Sequence, residues 1–541
     1  KKWGILIKKE SKSFEFTGLK IPRDYSYLIG GIKIMSKTKK GTALLLAFTL
    51  CASILTPNSV DAAKVKKPVL SKKKLTLVRD KSATIRLKKA GKCKVTWSSS
   101  DKNVCKITKK KKTSCKFKAV GNGSAKINCK VKKGKKKFKL SCKVKVKPKV
   151  VTNLPSILKT YESQIPYMGT CLNYGSSTYK RELQNPKTLN FVKNQFNSFT
   201  LENEMKPDNI LGSRPTTMTV AEAKAKGYYI PDNYKESTVP SLNFREVDGA
   251  LEVAAKNGLK MRAHTLVWHS QTPAWFFSDK YENDKDTNVA TMDAREDFYI
   301  HNVMAHVMEK EKELTGSAGS IVYAWDVVNE YLHRQGFTRT WTNIYKNSGD
   351  TPSYVKKAFE LAYGMLKTYN VQDKVTLFYN DYNTYFGIQQ TLNLVNFINK
   401  DEPEKICGGI GMQSHVDIKV PTIELYGTAL EKFLAAGYEV QITELDVTIN
   451  YDTNGSYSYA DEKETNADQA KYVGQLMKTI LEKNRSRDKN VNPKGVTGIT
   501  LWGLYDTISW RASCSPLLFD TGITDPKASF YEFINAAKSM G

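Results

Sequence analysis

A chain of 541 residues is too long for one domain of ordinary size, although a single α/β barrel can use about 250 residues or more. Its 40% hydrophobic and 11% aromatic residues exclude a wholly disordered chain. The formal net charge of +32 would suit a nucleic-acid binder, but almost all of it lies in one segment. Residues 64–150 hold 33 basic and 2 acidic residues, whereas residues 1–63 carry +7 and residues 151–541 carry −6. Nucleic acid is therefore not the expected partner.

A secretory signal begins at Met35. Three lysines precede an apolar run over residues 43–55, and small residues surround a cleavage site after Ala62. We therefore predict a signal peptide over residues 35–63 and a secreted, extracellular protein that associates with the cell wall. Residues 1–34 show no usable periodicity and are interpreted as upstream message read in frame. No later apolar stretch approaches the ~20 residues of a membrane span, so no membrane span is expected.

Residues 64–150 alternate lysine with apolar side chains. In residues 138–147 the even positions are apolar and the odd positions polar, which predicts a strand with one buried face and a lysine face in water. The same alternation recurs at 93–97, 115–119 and 125–131. Turn residues separate these runs, so the segment is expected to form a small all-β sandwich.

The cysteines and lysines of this segment each allow two interpretations. The five cysteines are either small core side chains or disulfide partners, although an odd number cannot all pair with one another. They are Cys93, Cys105, Cys115, Cys129 and Cys142. The lysines form either a solvated strand face or a surface for an anionic cell-wall polymer or acid-substituted plant polysaccharide. Binding to such a polymer should weaken as salt is added.

From residue 151 onward, short apolar strands alternate with helical segments. Eight strand candidates end near residues 171–173, 202–203, 264–269, 329–330, 380–381, 413–415, 444–446 and 502–503. Eightfold alternation in about 390 residues favours an α/β fold of the (β/α)8 TIM-barrel type. Polar or aromatic residues follow nearly every strand, at the end where such barrels place their chemistry.

Two glutamates follow strongly apolar strands, Glu330 after the fourth and Glu444 after the seventh. These strands face each other across the mouth of a barrel. A carboxylate pair in this position suits glycoside hydrolysis, with one group as general acid and the other as nucleophile if they stand ~5 Å apart.

Several motifs in a fixed order accompany this pair. They occupy residues 202–206, 262–269, 325–330, 409–415, 442–446 and 501–506, followed by Trp510 and Arg511. With these motifs the chain resembles glycoside hydrolase family 10, the endo-β-1,4-xylanases, from about Leu154 to the C-terminus. Through residues 94–101 and 119–127, the lysine-rich segment resembles bacterial immunoglobulin-like domains of the group 2 type.

The resemblance implies roles for individual residues. Glu330 matches the acid/base and Glu444 the nucleophile, while Asn329 matches the residue that hydrogen-bonds the sugar 2-hydroxyl. His415 and Asp446 match a pair that positions the nucleophile. The residues that match sugar-binding positions are Glu202, Asn203, Lys206, His264, Trp268, Gln413, Trp502 and Trp510. No cofactor and no metal are expected. One departure is Pro207, where many relatives carry an aromatic residue.

The sequence thus predicts an immunoglobulin-like domain over residues 64–150 and a family 10 barrel over residues 151–541. The expected activity is retaining hydrolysis of internal β-1,4 bonds in xylan and xylo-oligosaccharides. One alternative is a β-1,4-glucanase of the same fold, and another is a wall-binding adhesin with a vestigial barrel.

Overall fold

The computed structural model describes residues 66–540 except 176–179, 283–284, 335–339, 347–351 and 450–463. The predicted signal peptide and the segment before it lie outside the described residues. The chain divides into two units between Val65 and Lys66, and the described residues belong to the second unit.

The first part of this unit is a two-sheet β-sandwich. Its strands are β1 Val69–Leu70, β2 Lys74–Val78, β3 Ser82–Lys88, β4 Lys94–Ser99, β5 Cys105–Lys111, β6 Ser114–Ala119, β7 Gly123–Lys133 and β8 Lys136–Lys147. One sheet has the order β1-β3-β6-β5 and the other has the order β2-β8-β7-β4. Neighbouring strands are antiparallel except for β2 and β8, which run parallel.

The alternating sequence explains this sandwich, because every second side chain enters one shared core. Trp97 is buried there, and its indole N–H donates to the Lys111 carbonyl at 3.0 Å. The five cysteines carry free thiols, and all but half-buried Cys93 are buried. Burial raises the pKa of Cys129 to about 12, so this thiol stays neutral at ordinary pH. These observations agree with the interpretation as core side chains.

The second part is a closed barrel of eight parallel strands. Its elements are β9 Tyr167–Leu172, β10 Ser198–Leu201, β11 Thr217–Thr219, β12 Thr238–Pro240, β13 Lys260–Trp268, β14 Val322–Asn329, β15 Thr376–Asp381, β16 Gly409–Met412, β17 His415–Asp417, β18 Glu439–Thr448 and β19 Val496–Leu501. The barrel order is β9-β10-β13-β14-β15-β16-β18-β19, and β19 returns to β9. Strands β11 and β12 form a separate ribbon, while β17 runs beside the end of β18.

Helices lie between the strands, as the predicted (β/α)8 barrel requires. They are α1 Ile157–Tyr161, α2 Pro186–Gln195, α3 Pro207–Leu211, α4 Val220–Ala225, α5 Arg245–Asn257, α6 Val289–Thr315, α7 Trp341–Tyr345, α8 Ser353–Thr368, α9 Ile388–Asn399, α10 Ile423–Ala435, α11 Asn466–Ser486 and α12 Ala528–Lys538. Short 3-10 turns occur at Glu182–Gln184, Ala274–Phe277, Asp279–Tyr281, Tyr331–His333, Asp506–Ile508 and Ala512–Cys514. Among the helices described, none combines the length and apolar character needed to cross a membrane.

Helix α6 fixes the start of the strand that precedes Glu330. It begins after Asn288, whose side chain caps the first turn, and ends at Gly316, which has a φ of 85°. Near its end, the buried Glu311 carboxylate accepts the backbone N–H groups of Ile321 at 2.8 Å and Val322 at 2.6 Å. The loop into β14 is thereby tied to the helix.

A buried charged pair occupies the barrel interior beneath the mouth. Arg262 on β13 pairs with Asp326 on β14, donates to Gln441 Oε1 at 2.7 Å and lies over the Phe378 ring at 4.3 Å. Both terminal nitrogens of the Arg262 guanidinium therefore have an acceptor, which compensates for burial of its charge.

One end of the sandwich contacts the barrel through buried charges. Arg79, directly after β2, lies 2.7 Å from Asp525 and also donates to the Pro526 carbonyl. Asn122, directly before β7, donates to Asp520 at 2.8 Å.

Candidate active site

A cleft of about 700 Å³ opens at the carboxyl ends of the barrel strands. Twelve of the thirteen predicted site residues line it: Glu202, Asn203, Lys206, His264, Trp268, Asn329, Glu330, Gln413, His415, Glu444, Trp502 and Trp510. Asp446 lies just behind the wall. Residues far apart in sequence meet here because all eight strands end at this rim.

Glu330 is held by its backbone and by two donors. It follows β14 directly with a φ of 56°, a left-handed conformation that costs a non-glycine residue about 1 kcal/mol or more. Its backbone N–H donates to the Asn380 carbonyl at 2.9 Å. The Trp268 indole donates to Oε2 and the Gln413 amide to Oε1, both at 2.9 Å. Both carboxylate oxygens are therefore fixed in the cleft.

The surroundings of Glu330 favour its protonated form. Burial raises its pKa, and the negative charges of Asp381 and Glu444 act in the same direction. The hydrogen bonds from Gln413 and Trp268 oppose this rise without cancelling it. A carboxyl group of this kind can hold a proton where an exposed glutamate would have lost it.

Glu444 has the opposite character. It lies within β18, with His415 Nε2 at 3.1 Å from one carboxylate oxygen and Asn380 Nδ2 donating to the other at 2.9 Å. Burial alone would favour the neutral acid. The hydrogen bond from His415 and the positive charges of the neighbouring His264, His415 and Lys206 outweigh it and lower the pKa of Glu444 to about 2.

Asp446 supports His415 from the far side. His415 Nδ1 lies 2.9 Å from Asp446, so one ring nitrogen faces each carboxylate. Burial would lower the pKa of His415, but Asp446 and Glu444 raise it to about 9. The Asp446 carboxylate also accepts from the Trp510 indole at 2.9 Å and from Arg511 at 3.3 Å. At neutral pH the ring is thus a cation that donates to Glu444.

An amide network joins the two glutamates. The Asn380 amide donates to Asn329 Oδ1 at 2.9 Å as well as to Glu444, while Gln413 Nε2 lies 3.3 Å from Asn329 Oδ1. These contacts fix the orientation of the Asn329 side chain. A sugar hydroxyl near the two carboxyl groups would meet a preorganised amide.

Charged and polar side chains form the deep floor on one side of the cleft. Lys180 lies 2.6 Å from Glu202. Lys206 donates to Gln271 at 2.9 Å and to Asn203 at 3.2 Å. Its ammonium group also lies 5.0 Å from the centre of the Trp268 ring. Burial lowers the pKa of Lys206, although the nearby carboxylates oppose this change.

Aromatic rings form the walls. Trp502 is buried, whereas Trp510 is 51% exposed and Phe386, which also lines the cleft, is 60% exposed. His264 lies 3.0 Å from Asp326 and packs edge-on against Trp502. Flat apolar faces beside hydrogen-bonding groups suit a pyranose ring.

Some site residues escape sequence reasoning. Asn380 was recognised only as a strand end, yet it contacts both Asn329 and Glu444. Lys180 and Gln271 lie in loops with no motif of their own. The position of Asn380 after an apolar strand was the one available signal. In the described part of the chain, no group of three or more histidine, cysteine or acidic residues is arranged to hold a metal ion.

A closed barrel whose mouth holds two buried glutamates, one with a raised pKa and one with a lowered pKa, defines the class of protein as a glycoside hydrolase. Comparison with known proteins identifies the family within this class. Residues 156–536 match glycosyl hydrolase family 10. The chain belongs to this family.

Individual proteins similar to this chain are named endo-1,4-beta-xylanases. Endo-1,4-beta-xylanase A of Butyrivibrio fibrisolvens is 42% identical over 374 residues, which cover 69% of this chain and 82% of that protein. The chain spans only 52% and 27% of the lengths of two further endo-1,4-beta-xylanases, from B. fibrisolvens and Thermotoga neapolitana.

Two solved structures share the architecture. One shows the CBM22-1 and GH10 modules of an endo-1,4-beta-D-xylanase 10B from Clostridium thermocellum complexed with xylohexaose. It is 26% identical with a TM-score of 0.54, covering 76% of this chain and 79% of that one. The other is a GH10 xylanase from termite gut with a bacterial Ig-like domain. It is 22% identical with a TM-score of 0.54, covering 86% and 98% of the two chains. This second likeness concerns the fold alone, a β-sandwich followed by a barrel.

Proposed function

We propose that the protein is a secreted, retaining endo-β-1,4-xylanase. The observation that carries this proposal is that two glutamates buried in one cleft have environments that shift their pKa values in opposite directions. Burial and neighbouring carboxylates raise the pKa of Glu330, while His415 and other cations lower the pKa of Glu444 to about 2. One acid and one anion at the same pH are what double displacement needs.

In the first step, Glu444 attacks the anomeric carbon and the bond to the leaving sugar breaks. Glu330 gives its proton to the departing oxygen, so the leaving group departs as an alcohol. His415 and Asn380 keep the attacking carboxylate oriented. Asn329 would bond the sugar 2-hydroxyl, a contact that strengthens as the transition state forms.

In the second step, water replaces Glu444 at the anomeric carbon. The charge of Glu444 has been consumed by the covalent bond, so the pKa of Glu330 falls and its carboxylate can take a proton from that water. Two inversions give net retention. Glu330 returns to the protonated state and Glu444 to the anion.

The substrate assignment rests on the cleft and on the relatives. The rim is open and bears exposed Trp510 and Phe386, which suits binding along a chain. Several relatives at 30% identity or more are named endo-1,4-beta-xylanases. A β-1,4-glucanase would need room for an extra hydroxymethyl group on each sugar.

Reducing-sugar release from xylan and from carboxymethyl-cellulose separates these two activities. We expect release from xylan, little from the cellulose derivative, and loss of xylan hydrolysis in Glu444→Gln. Lys400→Gln, an exposed change beyond α9, is the matched control and should keep full activity. Xylan hydrolysis that survived Glu444→Gln would contradict the assignment of the nucleophile.

Secretion is a separate part of the proposal and rests on the signal pattern at residues 35–63. N-terminal sequencing of the exported protein tests it. The expected mature chain begins after Ala62. A mature chain that still carried Trp3 or Phe14 would contradict this.

A further inference from the structure

One broad face of the β-sandwich is covered with lysine. The outward side chains of β2, β8, β7 and β4 include ten exposed lysines. They are Lys74, Lys94, Lys126, Lys130, Lys132, Lys137, Lys139, Lys143, Lys145 and Lys147. These four strands contain no aspartate or glutamate. Among the ion pairs of the described residues, none involves any of the ten.

Strand register places these like charges directly opposite one another. Lys143 on β8 stands between Lys74 on β2 and Lys126 on β7, and Lys130 stands opposite Lys139. Directly opposed like charges destabilise a sheet, and neighbouring strands are only about 4.8 Å apart. The fold thus bears an electrostatic cost that a bound polyanion would relieve.

A groove of about 460 Å³ runs across this face. Lys74, Lys126, Lys143 and Lys145 surround it, together with small polar residues such as Thr76 and Ser124. The groove is accessible because the sandwich meets the barrel through Arg79 and Asn122 at one end.

The side chains of the groove are suited to bind a charged group and not to recognise a sugar ring or a nucleic-acid base. The aromatic residues of 66–150 are Trp97, Phe117 and Phe138, of which two are buried and one is half-buried. Without an exposed ring, neither a pyranose nor a base has a surface on which to stack. Lysine binds phosphate as a point charge and reads no planar geometry.

We propose that this lysine groove binds a linear phosphodiester polymer of the cell surface and so holds the enzyme at the wall. Neighbouring groove lysines start about 5 Å apart across strands and about 7 Å apart along a strand. A phosphodiester-linked triol repeats one charge every six backbone bonds, roughly 7 Å when extended. Such a polymer can meet several lysines at once, whereas acid-substituted xylan carries charge on only some of its sugars. The proposal is independent of the catalytic assignment.

The test measures binding of the full chain to purified poly(glycerol phosphate). The groove variant carries Lys74→Gln, Lys126→Gln, Lys143→Gln and Lys145→Gln. A matched control removes the same charge from the opposite sheet through Lys88→Gln, Lys109→Gln, Lys111→Gln and Lys116→Gln, all of which change exposed residues. Unchanged hydrolysis of soluble xylo-oligosaccharides reports that the barrel of each variant is folded, and unchanged resistance of residues 66–150 to thermolysin reports that the sandwich is folded.

A lysine beside an anionic surface contributes about fivefold in affinity, so the groove variant should bind at least about 20-fold more weakly. The control should lose less than about threefold. Wild-type affinity should fall steeply between about 50 and 200 mM salt. Walls whose phosphodiesters have been removed with hydrogen fluoride should no longer retain the protein.

Three results would overturn the proposal. Equal losses in the two variants would show that net charge, and not this groove, governs binding. Tighter binding to glucuronoxylan or to duplex DNA than to poly(glycerol phosphate) would assign the face to a different partner. Affinity that does not change with salt would exclude an electrostatic groove.

Discussion

Replacing His415 should move the acidic limb of the pH profile. Burial opposes ionisation of Glu444, yet its pKa is lowered from an ordinary 4.5 to about 2, with the His415 hydrogen bond as the first cause of the lowering. The difference corresponds to about 3 kcal/mol in favour of the charged form. His415→Asn removes the cation and leaves the burial.

The sign follows from which form reacts. In the proposed mechanism Glu444 must be ionised to attack, so wild-type kcat/KM should be limited on the acid side only as pH falls through about 2. Without His415, burial is opposed by fewer charges and the pKa of Glu444 rises. In His415→Asn we expect the acidic limb of the profile to move to higher pH by at least about one unit. The wild-type profile should stay flat between about pH 3 and 5.

The assay is kcat/KM on an aryl xylobioside from pH 2 to 8. His306→Asn is the matched control, because His306 Nε2 lies 2.7 Å from Asp248 in another histidine–carboxylate pair outside the cleft. Its profile should keep the wild-type shape. If His415→Asn lowered kcat/KM equally at every pH, His415 would not control ionisation of Glu444, and the electrostatic reasoning would be refuted.

Three further predictions concern Asp381, Arg79 and Glu296. Asp381→Asn removes a negative charge that raises the pKa of Glu330, so the alkaline limb of kcat/KM should move to lower pH, and an unmoved limb would argue against this coupling. Arg79→Met leaves buried Asp525 without its cation, a loss of about 3–5 kcal/mol, so tryptic cleavage at Lys147 or Lys149 should accelerate with xylanase activity retained. Equal cleavage rates would contradict the importance of that contact. Burial raises the pKa of Glu296 well above its ordinary value, so Glu296→Met should stabilise the fold above pH 4.5 by about 1–3 kcal/mol. In thermal unfolding this gain should shrink toward pH 4, where the unfolded glutamate is also protonated and only the contribution from removing two buried carboxyl oxygens without hydrogen-bond partners remains; a gain that did not change with pH would contradict the titration.

Much of the candidate site could be predicted from the sequence, because the ends of apolar strands can be recognised there. Glu330 and Glu444 each follow an apolar run, and a parallel barrel brings all such ends to one rim. Alternating lysine and apolar residues likewise predicted the sandwich, since the side-chain period of a strand is two.

The contacts of Asn380 could not be predicted from the sequence, because they depend on the register between neighbouring strands. Asn380 reaches Glu444 because Asn329 pairs with Asn380 and Asn380 pairs with Gly411 across three neighbouring strands. A Cβ at Gly411 would stand only 2.3 Å from Asn380 Oδ1, so glycine there makes room for that amide. No local pattern encodes such a contact.

The junction of the two domains was equally hidden. Arg79 and Asp525 lie more than 400 residues apart, and neither belongs to a periodic pattern that marks it as buried. A lone arginine after a strand usually faces water. Only the packed structure shows that it is buried against Asp525.

Trapping the covalent intermediate tests the central claim most directly. Glu330→Ala should still be glycosylated by a 2-fluoro xylobioside with an acidic leaving group, because that group departs without a proton. Mass spectrometry of the digested protein should then find the sugar on Glu444. A label on any other residue, or inactivation without a covalent sugar, would contradict double displacement by this glutamate pair.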